Sequence, residues 1–153
     1  MAARVRFIED HFPLVLCIGP DLWDDEAVKE MAAGSERLFA RGERYALVVC
    51  SPARSEVGAR ARKQLADWSG MPHVRERTRA LCAGSATVAR NALQRGALTA
   101  ILWLWTPAAP HEAVATPEAA VDWCLERLDA VGVPLPRSRE TIRKLAIAQL
   151  SQV

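Results

Sequence analysis

The chain has 153 residues, half of them hydrophobic and a quarter charged, with a formal net charge of +2. That is long enough for one domain with a substantial core, and the composition is ordinary for a globular protein. Charge this small singles out no partner, and the most apolar stretch, Ala97 to Trp105, is about half the length a spanning helix needs.

Arg4 and Arg6 lie near the start, but Glu9, Asp10 and His11 interrupt any signal-type apolar segment. The expectation is a cytoplasmic protein with no membrane insertion. Residues 4–8 alternate apolar and basic, as a half-exposed strand does, and Leu14 to Ile18 is a second apolar run. The short connection makes the pair an antiparallel hairpin. Asp21 or Asp24 then caps a helix whose first turn is crowded with Asp24, Asp25 and Glu26, where carboxylates favour the positive end of the helix dipole. Gly42 is its natural stop.

Tyr45 to Cys50 is a continuous apolar run, the mark of a strand covered on both faces. Ser51 to Ser55 breaks it, and Val57, Ala61, Leu65 and Trp68 follow at helical spacing, with Ser55 as the expected cap. Gly70-Met71-Pro72 interrupts, and His73 to Arg79 reads as a short helical turn or a loop. Residues 80–88 form a strand of small residues against which a helix packs closely. Residues 89–104 follow as a helix with Ala89, Leu93, Ala97, Ala100, Ile101 and Leu104 on one face. Gly96 inside it suggests a close contact. After a proline-rich linker, Glu112 to Ala115 is a short edge strand. Thr116-Pro117-Glu118 then starts another helix: a hydroxyl cap, proline at the first position, an acid in the first turn. Ser138 begins a last helix with Ile142, Leu145, Ala146, Gln149, Leu150 and Val153 along one side.

The order is β-β-α-β-α-β-α-β-α plus a final helix. It predicts an α/β fold with a single mixed sheet of about five strands, helices packed over it and right-handed crossovers. Residues 1–132 are expected to form the domain, and 133–153 a proline-containing linker and a C-terminal amphipathic helix. That helix is expected to pack on the parent domain, with a subunit contact the alternative.

Candidate chemistry is sparse. Cys17, Cys50, Cys82 and Cys124 have no metal-ligand spacing and read as free and buried; no metal and no cofactor are expected. Cys17, Cys50 and Cys82 fall near the proposed C-terminal strand ends, where open α/β sheets bind ligands. Cys50 also precedes a helix start with Arg54 close by, which makes it the candidate thiol. His11, His73 and His111 read as surface-loop residues. Trp23, Trp103 and Trp105 sit at element ends, where large aromatics line pockets and interfaces, whereas Trp68 and Trp123 are placed for the core. Residues 1–43 carry five basic and nine acidic side chains, net −4, and residues 54–79 carry seven and three, net +4. Opposed patches of this kind steer association. No nucleic-acid motif accompanies them, and no nucleic-acid partner is expected.

Three segments, GERYALVV at 42–49, ALTAILWLW at 97–105 and ATPEAAVDWCLERL at 115–128, together with the element order, resemble the SpoIIAA-like branch of the STAS superfamily over about residues 4–130. The resemblance implies a small non-catalytic domain that binds protein partners and sometimes apolar ligands or anions. It also implies that a serine at the start of the helix after the third strand is a phosphorylation candidate, which points to Ser51 and Ser55. Cys50 stands where relatives commonly carry an acid. The expected function is a non-enzymatic regulatory or adaptor module that binds a protein partner or itself, with Trp23, Trp103, Trp105 and Arg54 as candidate contact residues. The alternatives are a carrier of a small apolar ligand and a thiol-dependent enzyme using Cys50.

Overall fold

A computed structural model describes residues 4–153. In chain order the elements are β1 (Arg6–His11), β2 (Leu14–Ile18), β3 (Leu22–Trp23), α1 (Asp25–Arg41), β4 (Tyr45–Cys50), β5 (Glu56–Val57), α2 (Ala59–Ser69), α3 (Pro72–Leu81), β6 (Cys82–Val88), α4 (Ala92–Leu104), β7 (His111–Val114), α5 (Pro117–Ala130) and α6 (Arg139–Leu150). Five strands form one mixed sheet in the order β1-β2-β4-β6-β7. β1 runs antiparallel to β2, and the rest pair in parallel. The fold is therefore α/β, with helices over both faces of the sheet. β1 occupies Arg6–His11 rather than 4–8, because the turn is confined to Phe12 and Pro13.

The helix ends follow the local chemistry. Asp24 caps α1 by accepting from the Ala27 N–H at 3.0 Å, and Gly42 ends it in the left-handed region at φ 66°, where a side chain is strained. Thr116 and Ser138 cap α5 and α6 in the same manner. Ser55 does not cap α2: that helix starts after Gly58 with no side-chain cap, because Glu56 and Val57 are drawn into a two-residue parallel ribbon with Leu22 and Trp23. His73 to Arg79 lies within a full helix, α3, with Pro72 in its first turn.

Asp24 also carries a test of charge. The hydrogen bond from the Arg4 guanidinium, then that from the Ala27 N–H, hold its carboxyl down at about 2. A pKa depressed by folding contributes stability that is complete above the ordinary carboxylate range and lost as pH falls through the folded value. Asp24→Asn keeps a capping side chain and removes the charge. It should lower the melting temperature at neutral pH, and the gap to wild type should close as pH approaches about 2. A gap independent of pH in thermal melts would show that the charge contributes nothing.

The period of two along the central strands divides the core. Ala46, Val48 and Cys50 face α5 and α6, while Tyr45 and Leu47 face α1 and α3. Close packing of α5 depends on Gly84: a Cβ there would stand 2.9 Å from Trp123 and Arg127 side-chain atoms. The small-residue run of β6 thus admits its helix as the sequence suggests. Helix α6 packs on α5, with Ile142, Ala146 and Leu150 inside the same core as the sheet. His11 is not a surface residue. It is buried at the end of β1, with its Nε2 2.7 Å from Gln149 Oε1 of α6. Among the described residues no helix is long and apolar enough to cross a membrane.

Candidate functional site: a cavity beneath helix α4

The sheet face opposite α5 is only half covered by direct packing. Val28, Leu38 and Phe39 of α1 and Val74 and Leu81 of α3 lie against Val15, Cys17, Tyr45 and Leu47. Over the β6–β7 half, Ser85, Thr87 and His111 face open space, because α4 stands on α2 and β5 rather than on the sheet. Not one residue of α4 is fully buried.

The helix is held at its ends by polar contacts. Asn91 caps α4 by accepting from the Gln94 N–H at 2.9 Å, and its Nδ2 donates to the Ala53 carbonyl at 2.9 Å. Gln94 Nε2 donates to the Pro52 carbonyl at 2.7 Å. Arg90 Nε donates to the Ser51 carbonyl at 3.3 Å, and at the far end Arg75 Nη1 donates to the Thr106 carbonyl at 2.7 Å. A helix fixed through its ends over small hydroxyl residues leaves room beneath it.

That room is a partly enclosed cavity of about 500 Å³, within the roughly 300–1,000 Å³ common for small-molecule sites. Its floor is Tyr45, Leu47 and Val49 of β4 with Ser85 and Thr87 of β6. Its walls are Met31 and Phe39 of α1, and Arg62, Leu65 and Trp68 of α2. Its roof is Gln94, Ala97, Leu98 and Ile101 of α4, one helical stripe, with Trp105 beyond the helix end. Most of the lining is apolar. The polar groups are mainly hydroxyls, and Glu56 and Arg62 are the charged residues among them. His111 lies in the lining with Nε2 3.1 Å from Thr87 Oγ1. Burial lowers its pKa against the opposing pull of Glu112, which favours the neutral ring.

The tryptophans separate here. Trp23 is buried, lines the cavity and donates its indole N–H to Ser51 Oγ at 3.2 Å. Trp105 lines the cavity as well, whereas Trp103 points away and is 84% exposed. Trp68 packs against the core as expected, partly buried, and also forms part of the wall. Of the face expected to point inward, Ala89, Leu93, Ala97 and Ile101 do line the cavity, Leu93 from its exposed rim, whereas Ala100 and Leu104 do not and Leu98 joins the lining. Gly96 makes no close contact: a Cβ there would meet nothing within 4 Å. His111, expected in a surface loop, is a strand residue of the cavity, since β7 begins one residue earlier than Glu112.

The remaining candidates lie apart or are already engaged. Arg54 is exposed and pairs with Asp21 at 3.0 Å. Ser55 is buried and donates its hydroxyl to the Pro20 carbonyl at 2.6 Å. Ser51 Oγ accepts the Trp23 bond and lines the cavity. All four cysteines are free and buried. Cys17 and Cys50 lie toward the C-terminal ends of their strands, but Cys82 opens β6 rather than closing it. Burial pushes the Cys17 thiol up to about 12 and that of Cys82 to about 11. Cys50 receives a contact from Arg90 Nη2 at 3.1 Å, and burial still raises its pKa against that cation. Comparison of this chain with protein-family models, curated proteins and solved structures finds no match.

Proposed function

We propose that the protein binds a small, predominantly apolar molecule beneath α4 and acts as its carrier or sensor without transforming it. The supporting observation is the cavity itself: a mostly apolar space of about 500 Å³ that α4 roofs without filling. A few directed polar groups in an apolar lining are the usual makeup of a small-molecule site. The Thr87–His111 pair and the hydroxyls of Ser51 and Ser85 provide them here. The resemblance of the segments at 42–49, 97–105 and 115–128 to SpoIIAA-like STAS domains suits a binding role. The thiol-dependent alternative has less support, because attack requires a thiolate and burial favours the protonated form of Cys50.

Two measurements test the reading. Native mass spectrometry of protein purified from its own host, followed by organic extraction, should reveal a retained small molecule. Titration of the emptied protein with the neutral apolar fluorophore N-phenylnaphthylamine should give saturable enhancement. A bare chain that also leaves the probe dark would refute the proposal.

A further inference from the structure

We propose that the outer face of α4 docks on the surface of an anionic lipid bilayer. The inference deepens the ligand-binding reading and rests on it for its purpose, since docking would bring the cavity to a source or sink of apolar molecules. Ala92, Gly96, Thr99 and Trp103 are all exposed at helical spacing, and none is charged. Leu93 and Leu104 flank them at 63% and 61% exposure, and Trp103 reaches 84%. A helix apolar on every side is normally covered on every side. Here the inner stripe roofs the cavity, and the outer one meets nothing among the described residues.

Charge selects the occupant. From Ala89 to Pro110 the chain carries not one Asp or Glu, and Arg95 is exposed on the helix, while Arg90 is turned in toward Ser51 and Cys50. Arg75, bonded to the Thr106 carbonyl, adds a guanidinium beside the end of α4 that bears Trp103. Exposed tryptophan and leucine with arginine around them are the makeup of an interfacial helix on anionic lipid. A two-fold pairing of copies through this face would instead bring the arginines of each copy toward those of the other. Leu93 is exposed and also lines the cavity, so the apolar surface of α4 continues into it. An apolar cargo could thus pass between bilayer and cavity with little exposure to water. Docking of this kind is peripheral and needs no spanning helix.

The test is co-sedimentation of the full chain with vesicles of equal parts phosphatidylcholine and phosphatidylglycerol, and with pure phosphatidylcholine. The wild type should bind the anionic vesicles in preference to the neutral ones, and added salt should weaken it. Trp103→Ser with Leu104→Ser removes two exposed side chains and should reduce that binding by at least about tenfold. N-phenylnaphthylamine binding in vesicle-free solution should stay unchanged in the double variant. No binding to anionic vesicles, or equal binding by the double variant, would overturn the proposal. So would a wild-type dimer in sedimentation velocity that the double variant disperses, which would assign the face to a second copy. If vesicles bind as expected while the probe stays dark with the wild type, docking stands and the ligand reading fails.

Discussion

Ala97→Trp and Leu98→Trp, made separately, should each abolish N-phenylnaphthylamine binding while leaving the chain folded. Both residues belong to the inward stripe of α4, and both side chains border open space rather than packed neighbours. Enlarging a side chain in a tight core costs about 1–3 kcal/mol through strain, but here the added indole enters the cavity. Melting temperatures should hold or rise, as cavity-filling changes often do. The affinity loss should be at least about a hundredfold, because excluding the ligand removes the site instead of one contact. Trp103→Ser is the control: it changes the same helix on its outer side and should leave the probe affinity intact. Undiminished binding by both tryptophan variants, with wild-type melting, would place the probe elsewhere and remove the cavity's claim.

The same helix marks the limit of what the sequence reveals. Elements with one apolar face, or with none exposed, are legible: β4 from its unbroken apolar run, α1 from Asp24 and Gly42, α5 from Thr116 and Pro117. Helix α3 is not, because only Val74 and Leu81 are buried among its polar residues, too few to establish a period. The β3–β5 ribbon pairs two-residue segments about thirty positions apart, which no local pattern signals. Helix α4 is apolar on nearly every side, so its periodicity assigns the inward face only in part: Leu93, Ala97 and Ile101 line the cavity, Ala100 and Leu104 do not, and Leu98 is missed. Its distance from the sheet is fixed by Asn91, Gln94 and Arg75 bonding to carbonyls of other elements. A space defined by a helix that does not descend leaves no trace in that helix's own spacing. Tryptophan at element ends is a real signal, and it finds Trp23 and Trp105. It also takes in Trp103 and passes over Trp68, because position along the chain does not specify which side of a helix a ring occupies.

Ile142→Ala should be among the most damaging single changes on the opposite face. Ile142, Ala146 and Leu150 recur every four residues on α6, and each is fully buried in the core shared with Leu125 and Leu128 of α5. Truncating a buried isoleucine to alanine costs about 2–5 kcal/mol through lost burial and the space left behind. For a domain of this length that corresponds to a fall in melting temperature of roughly ten degrees. Leu145→Ala, at a position 37% exposed on the same helix, should change stability far less, by about 0.5 kcal/mol. The Arg143–Asp122 pair at 2.6 Å is half-exposed and adds little by comparison. Chemical denaturation of the two variants checks the contrast. Equal and small losses would mean that α6 clings to the surface through polar contacts such as His11 with Gln149, and that the domain is complete without it. The expected contrast would make α6 part of the one core. Because α6 and the cavity lie on opposite faces of the sheet, Ile142→Ala should keep wild-type probe affinity at temperatures below its own melting. Stability and ligand uptake would then separate along the two sides of β4, one through its even-numbered residues and the other through Tyr45, Leu47 and Val49.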